Sequence, residues 1–369
     1  MGISAAVLTG VDQPLTIRHD VEVESPRAGE IRIRVAACGI CRSDLSMQDG
    51  TTPIPMPAVL GHEASAVVVE VGDGVTDLAP GDHVVVSWVP QCGACYFCRR
   101  GQPHLCQAAD AVLLAGGLLD GSPRLRLDGA PLFQMCGAGT YGQETVIAAC
   151  AAVKIPDDVP LDVAALLGCS VLSGVGAALN TATISPGDAV AVVGCGGVGL
   201  NVIQGARIAG AEVIVAIDVH QSKLDTARAF GATHTVDATR SDPANAVRDL
   251  TGQRGADVAF EVLGQGRTIE QTVEMTRRGG QAILVGIPRL DVMLTLPAFL
   301  GIVLQERTIK GCWYGSSDIR RDVPRFLDLY RDGQLRLDEL VSRRIELADV
   351  NGALEAMKAG EVARSVIVY

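Results

Sequence analysis

Cys41-Arg42-Ser43-Asp44 places a soft metal ligand, a fixed cation, a hydroxyl and a carboxylate on consecutive residues. His62 follows in Gly61-His62-Glu63, and Cys169 much later in Gly168-Cys169-Ser170. Two thiolates and one imidazole form a donor set that holds a catalytic zinc with its fourth position open. No short spacing joins the three, so the pattern by itself is weak. Cys92, Cys95, Cys98 and Cys106 are different: they follow a compact C-x2-C-x2-C-x7-C spacing. Four thiolates close a tetrahedron around Zn²⁺ at about 2.3 Å each and leave no place for a substrate, which makes this zinc structural. An iron–sulfur cluster also takes four cysteines but usually brings other spacings.

A third pattern is Gly194-Cys195-Gly196-Gly197-Val198-Gly199. Alone, a G-x-G-x-x-G is weak. Here the apolar run Ala189 to Val193 precedes it, the helical run Leu200 to Ala209 follows, and a second strand, Glu212 to Ile217, ends at Asp218. That order is the context in which the glycines serve a dinucleotide. Gly194 allows the tight turn, Gly196 lets backbone amides reach a pyrophosphate, and Gly199 lets helix and strand pack closely. Gly197 and Val198 complete the glycine turn that leads to the helix N-terminus, which attracts the phosphates. Asp218 then accepts hydrogen bonds from the adenosine ribose and repels a 2′-phosphate, which favours NAD over NADP. Cys195 falls at a variable position of the motif.

These groups need a scaffold. At 369 residues the chain exceeds one ordinary core, so two domains are expected. Hydrophobic content of 48% with 42 glycines reads as an α/β protein with many tight turns. No apolar run reaches the roughly 18 residues of a membrane span, and the first residues lack the basic and apolar regions of a secretory signal. A net charge of −11 argues against a nucleic-acid backbone or an anionic membrane as partner. The 11 cysteines, odd in number and crowded in one place, favour metal ligation in a cytoplasmic setting over disulfides.

Glu30 to Ala37 alternates apolar and charged residues, the mark of a half-buried strand, and leads directly to Cys38 and Cys41. Cys38 reads as a small buried side chain rather than a ligand. Thr51 to Pro57, with three prolines, is an irregular loop; Ala64 to Val71 and His83 to Val86 are strands, and His83 is not a ligand. Residues 107–140 are not firmly placed, but Leu125-Arg126-Leu127 alternates and then turns at Asp128-Gly129, the pattern of a hairpin. Val163 to Leu167 and Val171 to Leu179 read as helices. Ser222 to Phe230 and Ile269 to Arg277 are then expected as helices, Ala256 to Val262 and Gln281 to Val285 as strands. The glycine-bearing half is thus a doubly wound parallel sheet. Past residue 313 the rhythm breaks into helices at Val323 to Tyr330 and Val350 to Lys358 and a terminal strand, Ser365 to Tyr369.

The order of these motifs resembles the zinc-dependent medium-chain alcohol dehydrogenases over nearly the whole chain: Cys41-Arg42-Ser43-Asp44, Gly61-His62-Glu63, the Cys92–Cys106 cluster, Gly168-Cys169, Gly194–Gly199, Asp218 and Ala363-Arg364-Ser365-Val366. The resemblance implies a mainly β, GroES-like catalytic domain over residues 1–170 and 314–369, and a Rossmann coenzyme domain over 171–313, with the substrate cleft between them. It implies Cys41, His62 and Cys169 as ligands of the catalytic zinc, a second, structural zinc, and NAD as cofactor. Asp44 would orient His62, and Glu63 would lie behind the metal. Arg42 and Arg364 would pair with the pyrophosphate, Lys223 would assist at the ribose, and Ser43 would open a proton relay. Trp88 and Thr52 would line the substrate pocket. The implied reaction moves a hydride between an alcohol, or the matching aldehyde or ketone, and NAD(H).

Three departures stand out. Where relatives often carry a histidine that finishes the relay, this chain has Ser46. In glutathione-type members, which oxidise an S-hydroxymethyl-thiol adduct of formaldehyde, an arginine sits four residues past the last structural cysteine; here Asp110 stands there. Arg42-Ser43 also differs from the His-Thr pair common in those enzymes. The thiol-adduct dehydrogenase is the first alternative, a biosynthetic C=C or C=N reductase of the same superfamily the second, and a silent zinc- or NAD-binding scaffold the third. The long segment from Cys106 to Cys169 goes with dimers in this family, with residues 300–313 as the expected contact.

Overall fold

The computed structural model describes residues 2–361 and 364–369, and of Leu114 only the backbone, so that Ala363 of the closing motif lies outside the described residues. The chain forms two compact units. One comprises Met1–Ser170, Asp318–Asp328 and Leu337–Tyr369; the other Val171–Ser317 and Leu329–Arg336.

The first unit is mainly β. Its strand Glu30–Gly39 follows the alternation of its sequence: Ile31, Ile33 and Val35 are buried, and Arg34 faces water. This strand is central to a seven-stranded sheet, pairing with Glu63–Val71, Glu144–Ala148 and Ser365–Val368. Pairing puts Gly39 opposite both Glu63 and Val366. The terminal strand therefore flanks the residues that lead into Cys41, and Ile40 N donates to Ser365 O at 2.9 Å. A closed barrel of Ile3–Leu8, Thr16–Val23, Leu125–Leu127, Ala130–Gln134 and Ala58–Val59 completes the unit. Asp128 and Gly129 turn its hairpin with φ of 52° and 76°, the left-handed pair whose twist matches that of the flanking strands.

Residues 107–140 hold this hairpin, as its alternation and turn suggest, and the helix Ala108–Ala115, which was not expected. The segment is organised by a charge rather than by periodicity. Arg124 is fully buried, with Nη2 2.5 Å from Glu30 Oε1 and 2.8 Å from Asp120 Oδ2, and Nη1 donating to Ser122 O at 2.9 Å.

The second unit is a six-stranded sheet in the order His234–Asp237, Val213–Asp218, Ala189–Val193, Ala256–Glu261, Thr276–Leu284, Thr308–Gly311, every pair parallel. The strand His234–Asp237 and the helix Pro243–Leu250 were not expected. Both are short, and the helix is set by its cap: Asp242 accepts from Asn245 N at 2.9 Å, with Pro243 at the first position. The helix after the glycine turn begins at Gly197, three residues before the expected Leu200, because Gly196 caps it in an extended conformation. The helices expected at Val163 to Leu167 and Val171 to Leu179 are instead Leu161–Ala164 followed by a 3₁₀ turn, and Ser170–Gly176 followed by a π turn. Among the described residues no single helix is long and apolar enough to cross a membrane.

Candidate active site

Cys41 ends the strand-to-helix turn before Arg42–Gln48, His62 precedes Glu63–Val71, and Cys169 follows a 3₁₀ turn. Long-range strand pairing brings together what the sequence separates. One ligand atom from each lies within 4.8 Å of the others, and all three residues are buried. Cys41 Sγ and Cys169 Sγ are 3.9 Å apart. A zinc tetrahedron with arms of about 2.3 Å has edges of about 3.8 Å, so the sulfurs already stand at ligand spacing. The Ser43 hydroxyl lies 3.8 Å from Cys41 Sγ. Trp88 is buried and meets the His62 ring edge-on at 6.5 Å. Thr52 is half-buried in the loop after the helix, its N–H donating to Ser46 O at 2.8 Å. Cys38 is buried, 3.1 Å from Thr140 Oγ1, and outside the trio.

The trio is held from behind by carboxylates. Asp44 accepts from Cys41 N at 2.8 Å and Gly61 N at 3.1 Å, and stands 3.3 Å from His62 Nδ1. One residue thus fixes two ligand-bearing segments and the imidazole itself, as carboxylates behind metal-bound histidines do. Burial opposes the imidazolium, but Asp44 and Cys41 outweigh it and hold His62 well above its usual value. The hydrogen bond from Cys169 leads in drawing the Cys41 thiol well below its ordinary range, and leaves Cys169 well above it. Two buried thiols this close, beside the imidazole, are a donor set that a cation would complete.

Glu63 is fully buried, and burial pushes its carboxyl up to about 7 against the attraction of Arg364. Ser170 donates to its Oε1 at 2.6 Å, and Arg364 Nη1 lies 3.4 Å from its Oε2, near enough for attraction but not aligned as a hydrogen bond. Arg364 itself is buried and donates to Ile40 O at 2.7 Å, and its Nε–H has no partner among the described residues. Arg42 is exposed. Sequence reasoning missed two supports, Ser170 and Tyr141. Ser170 was adjacent to Cys169 in the motif. Tyr141 had no local signal: it packs against Gly61 through barrel pairing, donating N–H to Leu60 O at 2.9 Å.

The four-cysteine cluster also assembles, its ligand atoms within the same 4.8 Å limit. Cys95 Sγ and Cys106 Sγ are 3.9 Å apart; Cys98 N donates to Cys95 Sγ at 3.5 Å and Cys92 N to Cys106 Sγ at 3.4 Å. Backbone amides of Cys98 and Gln107 lower the Cys95 thiol to about 6. Amide donors aimed at sulfur stabilise thiolates, which suits a closed metal shell.

In the second unit Gly194 turns with φ of 101° and its N–H bonds Ile217 O. A Cβ on Gly199 would stand 1.8 Å from Gly194 O, so only glycine allows helix and turn to meet. A Cβ on Gly196 would meet nothing within 4 Å, leaving that face of the helix N-terminus open to an anion. Gly197 and Val198, half-buried, form the first turn. Asp218 accepts from Cys195 N at 2.8 Å, Val219 N at 2.8 Å and His220 N at 3.0 Å. These three backbone donors leave its carboxylate oxygens an acceptor site to spare. Lys223 is half-buried in the helix Gln221–Ala229.

Residues 27–157 match the alcohol dehydrogenase GroES-like domain family and residues 197–332 the zinc-binding dehydrogenase family. The chain is 36% identical over 380 residues to an S-(hydroxymethyl)glutathione dehydrogenase of Paracoccus denitrificans, covering all of both chains. The chain belongs to the zinc-dependent medium-chain alcohol dehydrogenases. The dehydrogenase is also 37% identical over 371 residues, the full length of both, to a putative alcohol dehydrogenase D of Mycobacterium tuberculosis. It superposes on the crystal structure of benzyl alcohol dehydrogenase from Acinetobacter calcoaceticus with a TM-score of 0.94 at 29% identity, covering 100% of this chain and 99% of that one. It is accordingly a zinc- and nicotinamide-nucleotide-dependent oxidoreductase of small-molecule alcohols and aldehydes, built from a GroES-like fold and a Rossmann sheet.

Proposed function

We propose that this dehydrogenase oxidises an alcohol with NAD, or reduces the matching carbonyl with NADH, at the Cys41–His62–Cys169 centre. The observation that carries the assignment is this buried trio at ligand spacing with a hydroxyl, Ser43, beside it. Zinc bound there would supply Lewis acidity to an alcohol or carbonyl oxygen, and nicotinamide the hydride acceptor or donor. Asp44 fixes the tautomer and direction of His62. Ser43 takes the alcohol proton as it leaves and passes it outward. Trp88 and Thr52 bound the substrate, and burial of the trio excludes water. Arg42 and Arg364 attract the pyrophosphate, the latter through its unpartnered Nε–H. The spare acceptor on Asp218 suits a ribose hydroxyl and disfavours a 2′-phosphate; Lys223 assists it. Cys92, Cys95, Cys98 and Cys106 hold the structural zinc. Residues 1–170 and 314–369 act as the catalytic domain and 171–313 as the NAD-binding domain of a cytoplasmic homodimer.

The alcohol reading is favoured over the thiol adduct by Asp110. It lies exposed in the first turn of the helix Ala108–Ala115, where it opposes a carboxylate-bearing adduct. The test is cofactor reduction with primary, secondary and aromatic alcohols, and with formaldehyde in the presence and absence of glutathione. Turnover of simple alcohols with NAD supports the assignment. Turnover that appears only with formaldehyde and thiol together overturns it in favour of the adduct.

A further inference from the structure

The parallel sheet carries a buried carboxylate that the hydride chemistry does not use. From Ala189–Val193 the chain moves outward through Val213–Asp218 and His234–Asp237, then returns to the other side of Ala189–Val193 as Ala256–Glu261. Strand order reverses there, and ligands of open parallel sheets bind beyond the carboxyl ends of strands at such a point. Glu261 is the last residue of the returning strand and is fully buried. Among the described residues no cation pairs with it. Its charge is met by the turn that follows: Oε1 accepts from Leu263 N at 3.0 Å, Gly264 N at 2.9 Å and Thr268 Oγ1 at 2.6 Å. Its carbonyl accepts from Val285 N at 2.8 Å and Gly286 N at 3.0 Å. One residue therefore ties three segments at the ligand end of the sheet: the turn Val262 to Gly264, the start of the helix Gly266–Met275, and the end of the strand Thr276–Leu284.

The turn is pressed against the glycine motif. A Cβ on Gly194 would stand 2.7 Å from Leu263 Cδ2 and 2.9 Å from Val262 Cγ2, and one on Gly199 would stand 3.3 Å from Val262 Cγ2. Val262 and Leu263 thus form a wall on Gly194–Gly199, and their backbone is curled by the carboxylate behind them.

We propose that Glu261 is a positioning residue for the dinucleotide, holding Val262-Leu263 as a preformed wall of the crevice over the Gly194–Gly199 turn. The inference rests on the reading that this turn takes the nucleotide. Ordering the wall before binding removes that cost from the binding step. In Glu261→Gln the amide NH₂ faces backbone N–H groups that need an acceptor, so at least one donor loses its partner. A lost buried hydrogen bond corresponds to about tenfold in an equilibrium constant.

The experiment measures NADH dissociation by fluorescence, steady-state kinetics, zinc content and urea unfolding on the intact enzyme. Glu261→Gln is expected to raise the NADH Kd and the KM for NAD about tenfold while kcat falls by less than twofold and zinc content stays unchanged. Thr268→Val, which removes one donor from outside the turn, should raise the NADH Kd about threefold. Gly196→Asp is the control for the site itself. Its side chain enters open space at a helix cap where aspartate is favoured, so it folds, and its charge repels the pyrophosphate. NADH bound normally by Gly196→Asp overturns the reading of the turn. NADH lost in Gly196→Asp but bound within twofold of the parent by Glu261→Gln overturns the positioning role. Should Glu261→Gln fail to fold, an unchanged Kd in Thr268→Val overturns it instead.

Discussion

Ser43 and Ser46 are one helical turn apart on Arg42–Gln48, and both are half-buried. Ser43 stands beside Cys41, but the next turn offers a second hydroxyl instead of a group that titrates near neutrality. A proton leaving Ser43 must therefore reach water or buffer. Turnover should rise with added buffer base, and Ser46→His should remove that dependence and add an inflection near pH 6–7 to the pH–rate profile. An identical profile in Ser46→His, measured with saturating alcohol and NAD, would sink the relay through this helix.

Elements hold the site by contacts that no single residue supplies. Gly61 has φ of 89°, and a Cβ there would stand 2.6 Å from the Tyr141 ring. Gly61→Ala combines left-handed strain with overpacking, so a loss of about 2–4 kcal/mol is expected, with zinc released faster from the neighbouring His62. Urea unfolding and chelator competition measure both. The Arg124 cluster makes a pH prediction. Arg124 holds the Asp120 carboxyl below its usual range, against burial. A lowered carboxylate contributes stability above its ordinary value, near 3.8, and loses it as pH falls from there. Asp120→Asn should therefore be less stable than the parent at pH 6, with the gap narrowing only as pH falls below 3.8 toward the lower folded value. Asp120 is 44% exposed, so the gap should stay under about 1 kcal/mol. A gap as wide at pH 2 as at pH 6 would assign the effect to packing.

For the whole molecule the informative surface is on the coenzyme unit. Leu290, Met293, Phe299, Leu300 and Val303 are all more than half exposed, close together in sequence before the edge strand Thr308–Gly311. In the proposed homodimer a second copy would cover these side chains beside the sheet's edge strand. Light scattering should give twice the 38.4 kDa chain mass, and Val303→Glu should shift it toward one chain. A parent protein that runs as a monomer would remove the dimer.

The four-cysteine cluster and the glycine turn were legible because each is local: ligand spacing and a strand–turn–helix order are properties of neighbouring residues. Even the helix boundary error at Gly197 was small, since a cap moves an end and not an element. The Cys41–His62–Cys169 trio was only nameable. Cys41, His62 and Cys169 carry no spacing that joins them, and only antiparallel pairing of Glu30–Gly39 with Glu63–Val71 brings the first two together. Tertiary structure alone decided what stands behind them. Arg364 arrives on the terminal strand, Ser170 turns onto Glu63, and Tyr141 closes on Gly61. Glu261 lies inside the expected strand Ala256 to Val262, and only the turn around it shows what its carboxylate binds. The sequence by itself determined the family, the two kinds of metal site and the dinucleotide motif, because residue type sets which ligands and backbone angles are available. The fold decided which buried charges face one another, because that depends on strand register and burial across distant segments.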